Sequence, residues 1–224
     1  MIPCTIQDLY TLEQTIAKGL LEKYTYPWEV LPHIGEYIKE LGKTLDKNVF
    51  EEKGENIWVA KDATVAPTAF INGPCIICSG AEIRHCAFIR GNAIVGEGSV
   101  VGNSTELKNV IIFNSVQVPH YNYVGDSILG YKSHMGAGSI TSNVKADKTL
   151  VVVKAEEEQF ETGLKKFGAM LGDHVEVGCN SVLNPGTVIG KHSNIYPLSM
   201  VRGFVPAHSI YKNKNEVVEK NRVE

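Results

Sequence analysis

Every sixth residue from Val59 onward is large and apolar: Val59, Val65, Ile71, Ile77, Ile83, Ile89, Val95, Val101, Leu107 and Phe113. With 43% of the chain hydrophobic, such a run would arise by chance roughly twice in ten thousand trials. The lattice returns at Leu171, Val177, Leu183, Ile189, Ile195 and Val201, and Val118, Val124, Leu129 and Met135 carry it between with one five-residue step. Four places after most lattice positions stands a small side chain, as at Ala63, Ala69, Cys75, Ala81, Ala87, Ala93, Ser99 and Thr105. A period of six suits neither a helix, which repeats every 3.6 residues, nor a half-buried strand, which alternates. It predicts short strands that turn every six residues and stack as parallel coils around an aliphatic ladder.

The repeat divides the chain. Residues 1–48 have helical spacing instead, with Leu9, Leu12, Ile16 and Leu20 followed by Leu31, Ile34, Ile38 and Leu41. Thr5 and Asp8 suit a helix start and Pro27 suits the first turn of a second helix. The expectation is a helical hairpin capping the N-terminal coils of a repeat domain over 49–205. From 142 to 170 the hexads stop, and the acidic run Glu156-Glu157-Glu158 lies within this excursion. Long loops in compact domains often carry function. Residues 206–224 are highly charged and read as a solvated tail.

Composition narrows the function. A net charge of −3 argues against a nucleic-acid binder working through a general basic field. No stretch is long and apolar enough for a membrane span, and the first residues lack a basic, then apolar, leader pattern. A cytoplasmic location is expected. Five cysteines, an odd number in a chain of this size, are expected as reduced thiols. Cys75, Cys78 and Cys86 are better explained by the repeat than by a metal, and none is predicted.

If three hexads form one coil, residues eighteen apart stack about 4.8 Å from each other. Arg90 and Lys108 are such a pair, and each follows a lattice aliphatic, so both are expected to project outward near one corner. Two stacked cations repel unless an anion lies between them, and a phosphate bonded to both would serve. Solvated corner charges are the bland alternative. His120, where the register stumbles, has the chemistry to take a proton from an amine near neutral pH.

The run Val101-Gly102-Asn103-Ser104-Thr105-Glu106-Leu107-Lys108 is followed by Pro119-His120-Tyr121-Asn122-Tyr123-Val124-Gly125-Asp126. Then comes Met135-Gly136-Ala137-Gly138-Ser139-Ile140-Thr141-Ser142-Asn143. Together they resemble the acetyltransferase domain of the bifunctional sugar-1-phosphate nucleotidylyltransferase/acetyltransferases, a hexapeptide-repeat family. The resemblance runs from about Arg90 to Val201. It implies an all-β fold, a left-handed parallel β-helix, assembled as a homotrimer with its site between subunits. It also implies an acetyl-CoA-dependent N-acetyltransferase acting on an amino-sugar phosphate such as glucosamine-1-phosphate.

By position the resemblance makes His120 the general base and puts Arg90 and Lys108 on the sugar phosphate. Tyr123 and Asn143 place the sugar, and a loop lysine, either Lys145 or Lys148 and here taken as Lys148, joins them. Acetyl-CoA is expected between subunits against the later coils, with Cys179, Pro197 and Arg202 as its contacts. The family's loop after Asn143 reaches a neighbouring subunit. Val144, His134 and Cys179 depart from the residues that bacterial members have, which leaves the sugar open. The 224 residues hold no Gly-rich nucleotidylyltransferase start, so pyrophosphorylase chemistry is not expected of this chain. A trimer that binds a sugar nucleotide or serves as a scaffold without turnover is the non-enzymatic alternative.

Overall fold

The computed structural model describes residues 3–155 and 158–220. Glu156 and Glu157 of the acidic run lie outside these, as do Met1, Ile2 and residues 221–224. The lattice aliphatics build a left-handed parallel β-helix. Ile77, Val95, Ile112, Leu129, Leu171 and Ile189 form one inner column through successive in-register pairings. All are 0% exposed, and each contributes about 1.5–3 kcal/mol by burial. The small corner residues tie coils together. Ser99 and Thr105 hydroxyls donate to the carbonyls of Phe113 and Val118 at 2.7 and 3.0 Å. Corners turn through left-handed backbone, with φ of 53° at Ser104, 56° at Asn109, 52° at Tyr121 and 48° at Asp126; Asn and Asp tolerate that region well.

One lattice member is displaced. Ile112, not Phe113, pairs with Val95 and Leu129, so a second five-residue step falls between Leu107 and Ile112. Phe113 is buried beside the column, its ring centroid 5.1 Å from that of Tyr10.

The coils present three faces, each read from the outward residues of paired strands. On the first, Trp58, Ile76, Ile94, Ile111, Ile128, Met170, Val188 and Phe204 form an apolar stripe. On the second, Phe70, Phe88, Glu106, Tyr123, Ile140, Val182 and Met200 form another. The third, with Thr64, Glu82, Val100, Gln117, His134, Glu176 and Asn194, is mostly polar.

The N-terminal residues cover the first face. They are not a two-helix hairpin, and they do not cap the end of the coils. The expected first helix breaks into Ile6–Leu9, a 3-10 turn at Leu12–Gln14, and Lys18–Leu21. Its backbone bonds go to the coils instead: Asp173 N–H donates to the Leu9 carbonyl, Asn114 N–H to that of Gln14, both at 3.0 Å, and Thr11 N–H to the Asp173 carboxylate at 2.7 Å. The second helical stretch is a 3-10 segment, Pro27–His33, continuing into the helix Ile34–Gly42. It buries Val30, Leu31, Ile34 and Ile38 along the flank. Gly42 is required there, because a Cβ would run into the Trp58 ring. Among the described residues the second face has no such cover.

The excursion folds back on its own chain. Val152–Ala155 pairs antiparallel with Glu158–Glu161, and Phe160 and Phe167 pack on Trp28 at 6.0 Å. A Cβ at Gly203 (φ 81°) would strike the Lys154 carbonyl, so that glycine lets the hairpin lie tight against the coils. The expected tail is also structured: Ser209–Asn213 continues the third face, and Glu216–Glu219 pairs antiparallel with it. At the other end Phe50–Gly54 covers the first strand likewise. Each of these strands ends its sheet with an antiparallel hairpin.

Candidate active site

Two corners flank the uncovered second face. The leading corner joins it to the polar face, and the trailing corner joins it to the covered face. Ile89 and Leu107 pair in register, so Arg90 and Lys108, one residue on, stack at the trailing corner as their spacing required. The anion between them is not needed, however. Arg90 Nη1 donates to Glu106 Oε1 at 2.8 Å, and Lys108 Nζ donates to both oxygens of Asp126 at 2.8 and 3.0 Å. Each cation has its own carboxylate, which answers the repulsion argument from within the protein.

Asp126 is the hub of the trailing corner. Its side chain is 4% exposed and also accepts from Asn109 Nδ2 at 3.0 Å and from Asn143 Nδ2 at 2.6 Å. Asn109 Nδ2 donates as well to the Leu31 carbonyl at 3.2 Å, which ties the N-terminal cover to the same carboxylate. Asn143 Nδ2 makes a further bond to Tyr123 Oη at 3.2 Å. Burial, and then the charges of Asp126 and Glu106, push the Tyr123 phenol above its ordinary value, so the hydroxyl stays protonated and able to donate. Gly125 leaves room for this ring, because a Cβ there would meet the Tyr123 hydroxyl. Four sequence-predicted residues, Arg90, Lys108, Tyr123 and Asn143, therefore converge.

The others lie apart. His120 is exposed at the leading corner, three residues before Tyr123. Its backbone is fixed: its N–H donates to Asn122 Oδ1 at 3.1 Å, and its carbonyl accepts from Gly138 N–H at 3.0 Å. Its ring has no hydrogen-bond partner among the described residues. Cys179 and Pro197 continue the same corner toward the C-terminal coils, linked through Asn180 N–H to the Ala137 carbonyl and Leu198 N–H to that of Cys179. Arg202 is on the trailing corner instead, 3.5 Å from Asn184 Oδ1. Within one chain the three expected acetyl-CoA contacts are split across the second face.

Beyond Asn143 a cavity of about 660 Å³ separates the excursion from the coils, lined by Lys145, Lys154, Arg202, Asn184, Gln159 and Asp147 among others. Lys145, not Lys148, faces it, bonded to Thr149 and 3.6 Å from Asp147. Lys148 sits in an exposed turn with φ 60°.

Sequence reasoning missed Glu106, Asn109 and Asp126. The signal for Asp126 was present, because it stands eighteen residues after Lys108, the interval that paired Lys108 with Arg90. Cys75 and Cys78 are buried, and burial raises both thiols, that of Cys78 to about 12, as packing residues rather than ligands. Among the described residues no three His, Cys, Asp or Glu gather as a metal would require, and no helix is long and apolar enough to cross a membrane.

The family model described as the GMPPB C-terminal domain matches residues 71–195, which include Arg90, Lys108, His120, Tyr123, Asp126 and Asn143. The chain belongs to that family. It is 34% identical over 88% of its length to a "Bifunctional protein GlmU" of Methanococcus aeolicus, covering 48% of that protein. It is 33% identical over 71% of its length to a "Bifunctional sugar-1-phosphate nucleotidylyltransferase/acetyltransferase" of Sulfurisphaera tokodaii, covering 40% of it. The chain spans about half the length of the curated relatives it matches. Among solved structures, a putative acetyltransferase of Bacillus cereus aligns with a TM-score of 0.47 at 16% identity, over 74% of this chain and 83% of that one.

Proposed function

We propose that this chain is an acyltransferase that moves an acetyl group from acetyl-CoA to the amine of an amino-sugar phosphate of the glucosamine-1-phosphate kind. The observation that carries the proposal is the trailing-corner cluster. Arg90 and Lys108 offer charge-assisted donors to a phosphate, and Tyr123 and Asn143 beside them offer polar groups to a sugar. His120 stands three residues before Tyr123, roughly 10 Å of extended chain, at the other edge of the same face.

In this reading the His120 imidazole removes a proton from the amine as its nitrogen attacks the thioester carbonyl carbon. The C–N bond forms, the C–S bond breaks, and the imidazolium returns its proton to the leaving thiolate. Tyr123 and Lys108 hold the acceptor while this happens.

The uncovered apolar face supports a homotrimer. On that face Phe70, Phe88 and Met200 are 61%, 36% and 63% exposed, and Leu198 at its leading corner is 80% exposed; exposed apolar surface of this kind marks an association site. Packing copies on that face sets one subunit's leading corner, with His120, Cys179 and Pro197, against another's trailing corner, with Arg202. That arrangement would reunite the acetyl-CoA contacts. Exposed, unpaired Cys86 and Cys179 suit a reducing, cytoplasmic setting.

The test is thiol release from acetyl-CoA with glucosamine-1-phosphate and related amino-sugar phosphates. His120→Ala is expected to lower turnover by about 10²–10⁴ with acetyl-CoA binding unchanged. A folded variant that keeps wild-type turnover would remove the general base from the mechanism. Ligand binding by the wild type without thiol release from any amino sugar would instead favour the non-catalytic trimer.

A further inference from the structure

Both hydrogens of the Asn143 amide are committed. Nδ2 donates to Tyr123 Oη at 3.2 Å and to Asp126 Oδ2 at 2.6 Å, and an amide nitrogen has two hydrogens to give. Oδ1 then points away from both partners and has no hydrogen-bond partner among the described residues. Tyr123, accepting from Asn143, has its own hydrogen left to donate. Lys108 has three hydrogens, and its two contacts with Asp126 leave at least one donor over. Around Asp126 the corner therefore presents two donors, from Lys108 and Tyr123, and one acceptor, Asn143 Oδ1, beside the Arg90 guanidinium, which has N–H groups left after its bond to Glu106.

What fixes this polarity is the carboxylate. An ionised Asp126 can only accept, so the amide nitrogen of Asn143, and never its oxygen, must turn toward it. The same two oxygens hold the Lys108 ammonium and the Asn109 amide. With a side chain 4% exposed, Asp126 does not itself reach a ligand.

We propose that Asp126 is the positioning residue of the acceptor site: it locks Asn143 with its oxygen outward, so that the site selects ligands placing a hydroxyl or ammonium donor there beside an anionic group held by Lys108. This rests on the function proposed above for the identity of the acceptor, but not for the geometry. A buried acid with a purely packing role would contribute to stability without choosing a hydrogen-bond direction. Asp126 does both, because each partner it holds, apart from Asn109, is one that faces the ligand.

The experiment exchanges the two side chains. Asn143→Asp puts two carboxylates in contact, so one must hold a proton. A carboxyl whose folded pKa is raised in this way adds stability that is present at low pH and lost as pH rises. The variant's melting temperature is therefore expected to fall with rising pH relative to wild type. The double variant Asp126→Asn with Asn143→Asp restores one carboxylate and one amide, and that pH dependence is expected to vanish.

Asp126→Asn alone leaves Lys108 without its clamp and frees Asn143 to rotate. It is expected to raise KM for glucosamine-1-phosphate at least tenfold with KM for acetyl-CoA within twofold. If Asp126→Asn does not fold, the double variant carries the same loss at Lys108 and the KM split is read there. If wild type binds glucosamine-1-phosphate without turnover, the acyltransferase reading fails, and calorimetric Kd replaces KM in the same comparison. Acceptor affinity within twofold of wild type in Asp126→Asn would overturn the proposal, as would equal weakening of both substrates. An unchanged pH profile in Asn143→Asp would overturn it too.

Discussion

Replacing Lys108 by alanine is expected to destabilise the fold, whereas replacing Arg90 is not, although the two cations stack on one corner. The Arg90 and Glu106 side chains are 47% and 32% exposed, and solvent screening leaves a pair of that kind little to contribute. Those of Lys108 and Asp126 are 25% and 4% exposed. Removing one partner of a buried pair costs about 3–5 kcal/mol, because the other charge stays out of water. Here Asn109 and Asn143 continue to donate to Asp126, which brings the expected cost of Lys108→Ala to about 2–3 kcal/mol. Urea denaturation measures it, with unchanged m-values showing that only stability moved. Adding Asp126→Asn removes the stranded charge and is expected to recover about 1–2 kcal/mol of the loss. The reasoning fails if Lys108→Ala costs no more than Arg90→Ala, or if the double variant is less stable than Lys108→Ala alone. A loss of phosphate binding in Lys108→Ala is then interpretable only at a temperature where the variant is folded.

Asp173, 2% exposed, accepts Thr11 N–H and Tyr131 N–H at 2.7 and 2.8 Å. Asp173→Ala is expected to cost about 3 kcal/mol or more and to speed hydrogen exchange at Thr11. Unaltered exchange there would show that the N-terminal cover is held by its apolar face alone. The rings of His174, His192 and His208 stack with centroids 4.7 and 4.9 Å apart. Burial, then the neighbouring histidine and lysine charges, holds His192 below its ordinary range. The unfolded chain therefore takes up that proton first, so stability is expected to fall as pH drops below about 6.5 and to level off once the folded histidine also titrates. Melting curves of wild type and His192→Gln between pH 8 and pH 5 check this; parallel pH dependence would remove His192 as the cause. Met200→Glu with Val182→Glu puts charge on the uncovered face and is expected to yield a 24.6 kDa monomer by light scattering, with wild type at three times that mass. A variant that stays trimeric would move the interface elsewhere.

The coiled architecture was legible in the sequence because the constraint that makes it is local and repeated. Each short strand must turn one large aliphatic inward, so Ile77, Val95, Leu129 and Leu171 declare themselves by spacing alone. The corner cations Arg90 and Lys108 followed from the same arithmetic, and so did the small residues that fit the turns. Phe113 was misassigned because its size and nearly correct spacing mimic an inward residue, and only pairing with Val95 and Leu129 shows that Ile112 fills the place. Helical spacing in residues 9–20 was real as a pattern, but the coils supplied the hydrogen-bond partners that a helix would have supplied itself, through Asp173 and Asn114. Spacing also could not say which outward stripe is covered. The columns through Ile94 and Phe88 are both apolar, and the choice between them was made by Trp28, Leu31 and Ile38 packing on the first. The carboxylate partners of the cations, and the amide direction that Asp126 imposes on Asn143, exist only once successive coils lie in register. The sequence determined the ladder because burial repeats at a fixed interval along the chain; the tertiary structure decided the site because its hydrogen bonds connect residues from different coils.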